Sequence, residues 1–181
     1  MLVSIVMPYW NRGIQLDRTL ESIARQSFTV EVVIVPDVRK RTQTWMNPAP
    51  LWNEGIERAK GDVLVLQNPE CRHVTPDTIA RLVELESLDV NFASVMALKQ
   101  DGSNDHWYCH GEHRCEPWFF CGALKKNLAL AAGGFNESFT GYGGEDVDFA
   151  GRLTRAGAKF HWRDDVLIQH QWHEFTGGVG V

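Results

Sequence analysis

Buried strands and an amphipathic helix alternate at the start of the chain. Four runs of mainly apolar residues, many of them β-branched, are typical of strands buried on both faces of a sheet. They are residues 2–8, 30–36, 62–67 and 90–98. After the first run, apolar residues recur with the period of a helix that has one apolar face. They are Leu16, Leu20, Ile23 and Ala24. This alternation predicts a three-layer α/β fold with a mostly parallel central sheet and right-handed crossovers.

Glycine, proline and capping residues predict where further helices begin and end. A second helix is expected to stop at Gly61 in a left-handed cap. A third is expected to begin at Thr75-Pro76, which combine a capping hydroxyl with a first-turn proline. A later helix is predicted over about 145–156, and it ends before Gly157.

The second half of the chain is less regular. Residues 101–118 have no hydrophobic period and predict a long loop with aromatic, histidine and cysteine side chains. A short apolar segment, a helix-like segment and a glycine-rich acidic turn follow, and residues 159–173 supply one or two final strands. No repeat or linker is evident. We therefore expect one domain over residues 1–181, with a regular part at 1–98 and an elaborated part at 99–181.

Composition and charge narrow the class of protein. The 181 residues are 44% hydrophobic and 23% charged, as in an ordinary soluble globular protein. The net charge of −5 does not favour nucleic acid as a general partner, although it is compatible with a local basic groove. No run reaches the length of a membrane span, and no signal peptide is evident. The four cysteines are interpreted as reduced thiols, so we expect a cytoplasmic protein.

Polar side chains follow the first three predicted strands. These loops contain residues 8–12, Pro36-Asp37 and 68–70, and Pro69 must end the third strand because it cannot donate to a sheet ladder. The carboxyl ends of parallel strands meet at one crevice, where open α/β sheets bind ligands. The chain has neither a glycine-rich dinucleotide fingerprint nor a P-loop, which disfavours NAD enzymes and P-loop kinases.

The side chains of this crevice suit a nucleotide diphosphate. Tyr9 or Trp10 supplies an aromatic ring, Arg12 a cation, and Asp37 a carboxylate for the base or ribose. Asn68 and Glu70 offer the oxygen ligands that Mg²⁺ or Mn²⁺ accepts. The residues alone therefore indicate a nucleotide whose diphosphate is bridged by a divalent cation. The alternative interpretation of residues 68–70 is an ordinary turn without a ligand, because asparagine and proline are common turn residues.

Several segments, in order and spacing, resemble the glycosyltransferases of family 2, which have the GT-A fold, over nearly the whole chain. The matching segments read VSIVMPYWNR, EVVIVPD, NEGIERAKGDVLVLQNPEC, GGFNESF, GYGGEDVDFAGRLTRAG and VLIQHQWH. The second half also resembles the carboxyl-terminal region of galactosyltransferases. The resemblance implies a Rossmann-like GT-A sandwich with a nucleotide-sugar-binding half at 1–98 and an acceptor-binding, catalytic half at 99–181.

The resemblance also implies roles for residues of the donor half. Asn68-Pro69-Glu70 stands where the family has an Asp-x-Asp metal motif, so Asn68 and Glu70 become metal ligands for Mn²⁺ or Mg²⁺. His170 matches a third ligand, and His173 is a less favoured substitute. Trp52 stands where the family often has a phosphate-binding arginine. The implied donor-binding residues are Pro8, Tyr9, Asn11, Arg12, Asp37, Asn53 and Asn68.

In the second half the resemblance implies the catalytic pair. Asp146 becomes the base for an inverting displacement, Glu145 a hydrogen-bond partner of the acceptor, and Asp148 a helix-surface residue. Carboxylates are also common in first helical turns, so a merely charged helix start is the alternative. The implied acceptor-binding residues are Trp107, Trp118, Gly144 and Glu145. The expected donor is a UDP-sugar, and the expected acceptor is a carbohydrate or another hydroxyl compound.

Other interpretations remain open for the histidine- and cysteine-rich segment. Cys109, His110, His113 and Cys115 raise the possibility of a structural zinc, although their spacing is not that of standard fingers. The preferred interpretation is an acceptor-facing loop in which Trp107, Tyr108 and Trp118 stack on sugar faces, with an aromatic core cluster as the alternative.

Alternatives also remain for single residues and for the whole protein. The alternative for His170 is a packed core histidine, and His73 is interpreted as a loop or cap residue. The run Arg39-Lys40-Arg41 is interpreted as a solvated loop, with a contact to the donor diphosphate or to a polyanionic acceptor as the alternative. For the protein, the competing functions are a nucleotidyltransferase, a non-catalytic sugar- or nucleotide-binding module, and transfer to a hydroxylated DNA base, which the acidic net charge disfavours.

Overall fold

A computed structural model describes residues 1–39, 47–84, 89–112, 116–140 and 143–174. The strands are β1 (Val3–Tyr9), β2 (Glu31–Pro36), β3 (Val63–Gln67), β4 (Cys71–His73), β5 (Val90–Leu98), β6 (Asn104–Cys109), β7 (Cys121–Lys125) and β8 (Phe160–His170). The helices are α1 (Gly13–Ala24), α2 (Ala49–Arg58), α3 (Thr78–Leu82), α4 (Lys126–Ala131) and α5 (Glu145–Arg155). No helix in these ranges is both long and apolar enough to cross a membrane.

The strands form one eight-stranded sheet in the order β2-β1-β3-β7-β5-β8-β4, with β6 paired to β5. Strands β1, β2 and β3 are parallel neighbours, and β5 and β8 are also parallel to each other. Strand β7 lies between these two groups and is antiparallel to both β3 and β5. The five strands of the two groups, β1, β2, β3, β5 and β8, therefore point in the same direction. The predicted mostly parallel sheet is confirmed in this sense, while β4, β6 and β7 run in the opposite direction.

Both faces of the sheet are covered, which confirms the three predicted layers. Alternate residues of β1 face opposite sides. Val6 packs in a core with Trp52 of α2 and Phe149 of α5. Ile5 packs in the other core, which contains residues of α1 and α3 such as Leu16 and Ile79.

Two predicted helix boundaries are wrong. Helix α2 ends at Arg58, and Gly61 is not a left-handed cap. Gly61 instead lies against β1, where an added Cβ would stand 2.7 Å from the Ser4 nitrogen, so only glycine fits. Helix α3 begins at Thr78 rather than Thr75, because a turn comes first, in which the Thr78 hydroxyl donates to the Thr75 carbonyl at 2.8 Å.

Two short strands were not predicted. Strand β6 lies inside the segment 101–118 that was predicted to be a loop, and it pairs with β5 despite its polar sequence. Strand β4 has only three residues and pairs antiparallel with β8 at the sheet edge. The tertiary pairing supplies what the hydrophobic pattern of these strands lacks. The predicted helix at 145–156 is confirmed as α5, and Gly157 follows it with a φ of 92°.

Candidate active site

The third strand ends in a turn that carries Glu70 toward β8. Pro69 follows Asn68, and the turn closes with a 3.0 Å hydrogen bond from the Cys71 N–H to the Asn68 carbonyl. Proline favours this second position of a turn. Strand β4 then pairs with β8 so that Cys71 lies opposite His170. The unpredicted strand β4 is therefore what brings the 68–70 tip beside the end of β8.

Glu70, His170 and His173 form a cluster at this edge. One Oε1 atom of Glu70 lies 3.6 Å from Nε2 of His170 and 3.5 Å from Nε2 of His173. The candidate ligand atoms of the three residues all lie within 4.8 Å of one another. Among the described residues, this is the only group of three or more His, Cys, Asp or Glu side chains placed to hold one metal ion. His173 is as well placed as His170, so its predicted lower rank has no support in the geometry.

The electrostatics of the cluster keep its carboxylate charged. Burial by itself would raise the pKa of Glu70, but His170 and His173 outweigh burial and hold that pKa well below its usual range. The interaction with Glu70 raises the pKa of His173, against the effects of burial and of the Arg12 charge. The Glu70 side chain is only 13% exposed, so an anionic oxygen faces the two imidazoles with little water to screen it.

Glu145 and Asp146 lie in the first turn of α5, after Gly144 in the left-handed conformation (φ 90°). Burial raises the pKa of Asp146 to about 8, with a contribution from the neighbouring charge of Glu145 and against a hydrogen bond from the Phe119 N–H at 3.4 Å. Burial also raises the pKa of Glu145, and its Oε2 has no hydrogen-bond partner among the described residues. Asp148 points elsewhere and accepts a 2.7 Å hydrogen bond from Arg152.

The segment before β7 joins the two groups of carboxylates. The Phe119 N–H donates to Asp146, and the carbonyl of the next residue, Phe120, accepts a 3.0 Å hydrogen bond from the Asn68 N–H. Consecutive residues therefore contact the predicted metal-binding tip at 68–70 and the acidic turn at 145–146. The contacts lie where β3 ends and β7 begins, so the structure brings the two predicted sites to the same edge of the sheet.

An aromatic cluster lies at the same edge of the sheet. The Phe120 ring is 4.9 Å from Tyr108, 5.9 Å from Trp118 and 5.4 Å from His170, measured between ring centroids. Trp118 remains 39% exposed, so part of its surface is available to a ligand. Trp107 stacks on His110 instead, with ring centroids 4.1 Å apart, beside an irregularity in the pairing of β6 with β5.

The first two loops of the predicted donor site also meet. The Asp37 N–H donates to the Tyr9 carbonyl at 2.8 Å, which places the residues after β1 and β2 side by side. The Asp37 carboxylate is 2% exposed and accepts two 2.8 Å hydrogen bonds from the Arg39 guanidinium. Asn11 adopts a positive φ of 49°, and Arg12 is the N-cap residue of α1.

Asn53 is placed against the GGFNESF segment. Its amide oxygen accepts from the Phe135 N–H at 2.8 Å, and its amide nitrogen donates to the Phe135 carbonyl at 3.0 Å and to Glu137 at 2.7 Å. These contacts occupy both ends of the amide. The position therefore orders the loop that precedes the acidic turn, and its predicted donor contact stays a prediction.

Only some of the residues named in the remaining predictions belong to the part of the chain that the structure describes. His113 and Cys115 of the zinc interpretation, and Lys40 and Arg41, lie outside the described residues. Cys71 and Cys121 are buried free thiols, and Cys109 is buried as well. His73 is a buried core histidine: its Nε2 lies 2.9 Å from Gln67 Oε1, and burial lowers its pKa to about 4.

Sequence reasoning missed two residues that organise the site. Phe120 belongs to a short apolar segment for which the sequence predicted no role, and its ring packs against His170. Gln171 lies between the two histidines and contacts the Glu70 carbonyl. The His170-x-x-His173 spacing was visible in the sequence. Only the pairing of β4 with β8 shows that both histidines face Glu70.

Comparisons with known proteins agree with this geometry. Residues 121–176 match the family model described as the N-terminal domain of galactosyltransferase. A hyaluronan synthase from Pasteurella multocida is 31% identical over 148 residues, which cover 70% of this chain and 15% of that protein. The chain thus spans only a small part of this curated relative.

Solved structures match the fold over nearly the whole chain. A mannosyltransferase from Pyrobaculum calidifontis, in complex with GDP-Man and Mn²⁺, superposes with a TM-score of 0.69 at 16% identity and covers 92% of this chain and 56% of that one. TarS 1–349 from S. aureus gives 0.72 at 15% identity, with coverage of 94% and 60%. The catalytic domain of Drosophila β1,4-galactosyltransferase 7, in complex with xylobiose, gives 0.67 at 16%, with coverage of 93% and 69%. The predicted resemblance is confirmed: the chain has the GT-A fold of glycosyltransferases, and its residues 121–176 are similar to the galactosyltransferase family model.

Proposed function

We propose that this protein is a metal-dependent, inverting glycosyltransferase that moves a sugar from a nucleotide-diphosphate sugar to an acceptor hydroxyl. The observation that carries the proposal is the contact of Phe119 with Asp146 and of Phe120 with Asn68, which puts a metal-capable tip and a buried acidic pair in one crevice. A sugar ring bridging these groups would have a cation on one side and a base on the other.

The residues at the end of β8 fit a divalent cation. Glu70, His170 and His173 provide one carboxylate and two imidazoles whose ligand atoms already face one another. Two nitrogen ligands suit Mn²⁺ better than Mg²⁺, which prefers oxygen ligands and keeps its waters. When bound, the cation supplies positive charge that offsets the charge of the departing diphosphate. Asn68 lies on the same turn, and its proposed role is a neutral oxygen ligand or a donor contact.

Asp146 is the proposed base. A pKa of about 8 makes its carboxylate a stronger proton acceptor than an ordinary aspartate and still leaves part of it ionised near neutral pH. The acceptor oxygen attacks the anomeric carbon as its proton passes to Asp146. The bond from that carbon to the diphosphate oxygen breaks, and its electron pair leaves with the nucleoside diphosphate. Attack opposite the leaving group inverts the anomeric configuration. Glu145, with an unpartnered Oε2, would accept a hydrogen bond from the acceptor.

The surrounding residues divide between donor and acceptor. Trp118 offers an exposed aromatic face beside Phe120, which suits stacking on a sugar ring of the acceptor. Gly144, in the left-handed conformation directly before the acidic pair, is a further proposed acceptor contact. Arg12 and Asp37 line the nucleotide side, with Pro8, Tyr9, Asn11 and Asn53 as further proposed donor contacts. Trp107 is the least supported of the proposed acceptor residues, because its ring stacks on His110 and not on the cluster around Phe120.

The donor is proposed to be a UDP-sugar, although relatives differ in this respect. TarS was solved with UDP-GlcNAc, the Drosophila galactosyltransferase mutant with manganese and UDP-Gal, and the Pyrobaculum enzyme with GDP-Man. A carbohydrate acceptor is favoured by the aromatic face and by the xylobiose complex of one relative. The cytoplasmic setting stays a prediction.

A screen of nucleotide-sugars with and without metal tests the proposal. UDP-Gal, UDP-GlcNAc and GDP-Man are each added to the protein with Mn²⁺, with Mg²⁺ or with a chelator, and both the thermal midpoint and release of nucleoside diphosphate are measured. We expect one donor to raise the midpoint by several degrees only when Mn²⁺ is present, because a ligand that binds the folded state stabilises it. Stabilisation without any release of diphosphate, with carbohydrates and a hydroxylated DNA oligonucleotide as acceptors, would favour the binding-module alternative. Indifference to every donor would contradict the proposal.

A further inference from the structure

We propose that Gln171 is a positioning residue that sets the distance between Glu70 and the two histidines. This inference rests on the proposed metal site. Gln171 lies between His170 and His173, and it is 3% exposed, so its side chain turns into the protein. A residue in that place can control both histidines through the backbone without binding the metal itself.

Gln171 holds the backbone of Glu70 from two directions. Its own N–H donates to the Glu70 carbonyl at 2.9 Å, and its side-chain Nε2 lies 3.2 Å from the same oxygen. These two contacts hold the backbone of Glu70, and the Glu70 side chain extends from that backbone. Gln171 therefore determines how far the Glu70 carboxylate lies from the two imidazoles.

The same side chain ties the metal-binding edge to α1. Nε2 of Gln171 donates to the Gln15 carbonyl at 3.0 Å and to the Thr19 hydroxyl at 3.1 Å. Gln15 returns a hydrogen bond from its own Nε2 to the Trp172 carbonyl at 3.0 Å. Helix α1 begins directly after the loop that carries Asn11 and Arg12. Gln171 thus links the metal cluster to the loop that is proposed to hold the nucleotide.

The choice of glutamine at this position is not explained by stability alone. Its Oε1 is buried and has no hydrogen-bond partner among the described residues, and such an atom costs free energy in a folded protein. The contacts of the amide nitrogen are then the simplest explanation for a glutamine at this position. That nitrogen reaches Glu70 and two groups of α1 at once.

The test replaces Gln171 by methionine, which keeps the length of the side chain but removes its donors. Mn²⁺ binding is measured on the full chain from the EPR signal of the free ion, without donor or acceptor. We expect the dissociation constant of Gln171→Met to rise by about 10–100-fold, the range for residues that orient metal ligands. Turnover of the variant should recover as Mn²⁺ is raised, whereas a merely structural role would lower the thermal midpoint without changing the Mn²⁺ dependence.

Gln169→Met is the matched control. Gln169 lies on β8 and accepts a 2.8 Å hydrogen bond from Arg72 of β4. Its replacement therefore perturbs the pairing of β4 with β8 without removing a hydrogen bond to Glu70. It should bind Mn²⁺ like the unmodified protein. Gln171→Asn, which keeps the amide and shortens it, is the second test variant.

Each outcome has a distinct meaning. If the unmodified protein binds Mn²⁺ and both Gln171 variants bind it equally well, the positioning role is overturned and the proposed function stands. If the unmodified protein does not bind Mn²⁺, the proposed metal site itself fails. If neither Gln171 variant retains a native circular dichroism spectrum while Gln169→Met does, Gln171 is a folding residue and the positioning role is likewise overturned.

Discussion

Glu70 and Asp146 are both largely buried carboxylates in one crevice, yet their pKa values move in opposite directions. Burial raises the pKa of both, but Glu70 faces the imidazoles of His170 and His173, which reverse the effect. Asp146 faces the carboxylate of Glu145 instead, and burial raises its pKa to about 8. The neighbours, not the residue type, decide which carboxylate stays anionic to bind a cation and which can exchange a proton.

The comparison also shows how one backbone segment keeps the two carboxylates apart and yet in reach. Phe119 and Phe120 contact Asp146 and Asn68 in turn, and the Phe120 ring packs against His170. A cation at Glu70 and a proton acceptor at Asp146 can therefore act on opposite ends of one substrate.

The sharpest way to break this division of roles is to remove the base. We expect Asp146→Asn to lower kcat by roughly 10²–10⁴-fold, because the amide cannot accept the proton of the acceptor hydroxyl. Stabilisation by the donor with Mn²⁺ should remain, since Glu70 and the histidines are untouched. Release of nucleoside diphosphate under saturating donor measures the effect.

Asp148→Asn serves as the control for that variant. Asp148 lies two residues further along α5 and pairs with Arg152, so its change alters the charge of the helix without altering the crevice. The assignment of the base fails if the Asp146 variant turns over as fast as the Asp148 variant.

Removing the metal ligands should produce the next largest effect. We expect Glu70→Gln and His173→Ala each to weaken Mn²⁺ binding by at least roughly 10–100-fold, which is the usual loss when a residue that only orients a metal ligand is replaced. The loss should be at least that large because Glu70 and His173 each supply one of the three proposed ligand atoms. Titration with Mn²⁺ in the absence of donor checks this. His170→Ala should behave like His173→Ala, since both imidazoles are equally close to Glu70.

His161→Ala is the control for the histidine variants. His161 lies on the same strand β8, opposite Asn91 and nine residues before His170. Its partner Asn91 on β5 lies six residues before Ala97, the partner of His170, so at about 3.3 Å per residue His161 is roughly 20 Å from the cluster. Equal losses in the His161 and His173 variants would show that the strand, rather than the ligand, had been damaged.

The smallest effect expected is on the pH dependence of stability. The folded state holds a proton on Asp146 up to about pH 8, whereas an unfolded chain releases it near the ordinary value of 3.8. Between these values the folded state binds more protons, so this residue's contribution to stability falls as pH rises. Asp146→Asn should therefore gain a few degrees in thermal midpoint over the unmodified protein between pH 5 and pH 8.5, without metal.

That gain should be absent below about pH 3.8, grow as the pH rises, and be largest above pH 8. Thermal unfolding at several pH values measures it, with Asp148→Asn beside it. A midpoint difference that stays constant with pH would show that Asp146 titrates like an ordinary surface carboxylate.

The regular elements of the first half were predictable because their hydrophobic pattern is local. Strands β3 and β5 bury every side chain and β1 buries five of seven, and apolar runs such as Val63–Gln67 show that burial in their composition. The acidic turn before α5 was also visible, because glycines followed by carboxylates mark a helix start.

Strands β4 and β6 were not predictable in this way. His73 and Asn104 belong to strands only because β8 and β5 offer them a hydrogen-bonding edge. The same limit applied to Gly61, whose role depends on its approach to Ser4 across 57 residues of chain. Contacts between distant segments leave no period in the sequence.

The sequence by itself determined the layered α/β architecture, the chemistry of the side chains after each strand, and the family that these motifs resemble. Only the tertiary structure decided that β4 pairs with β8, that Glu70 faces two histidines rather than one, and that Trp107 stacks on His110 while Tyr108 stacks on Phe120. The physical reason is range. Burial and helix periodicity act between neighbours in the chain, whereas a ligand set depends on the register in which distant strands meet.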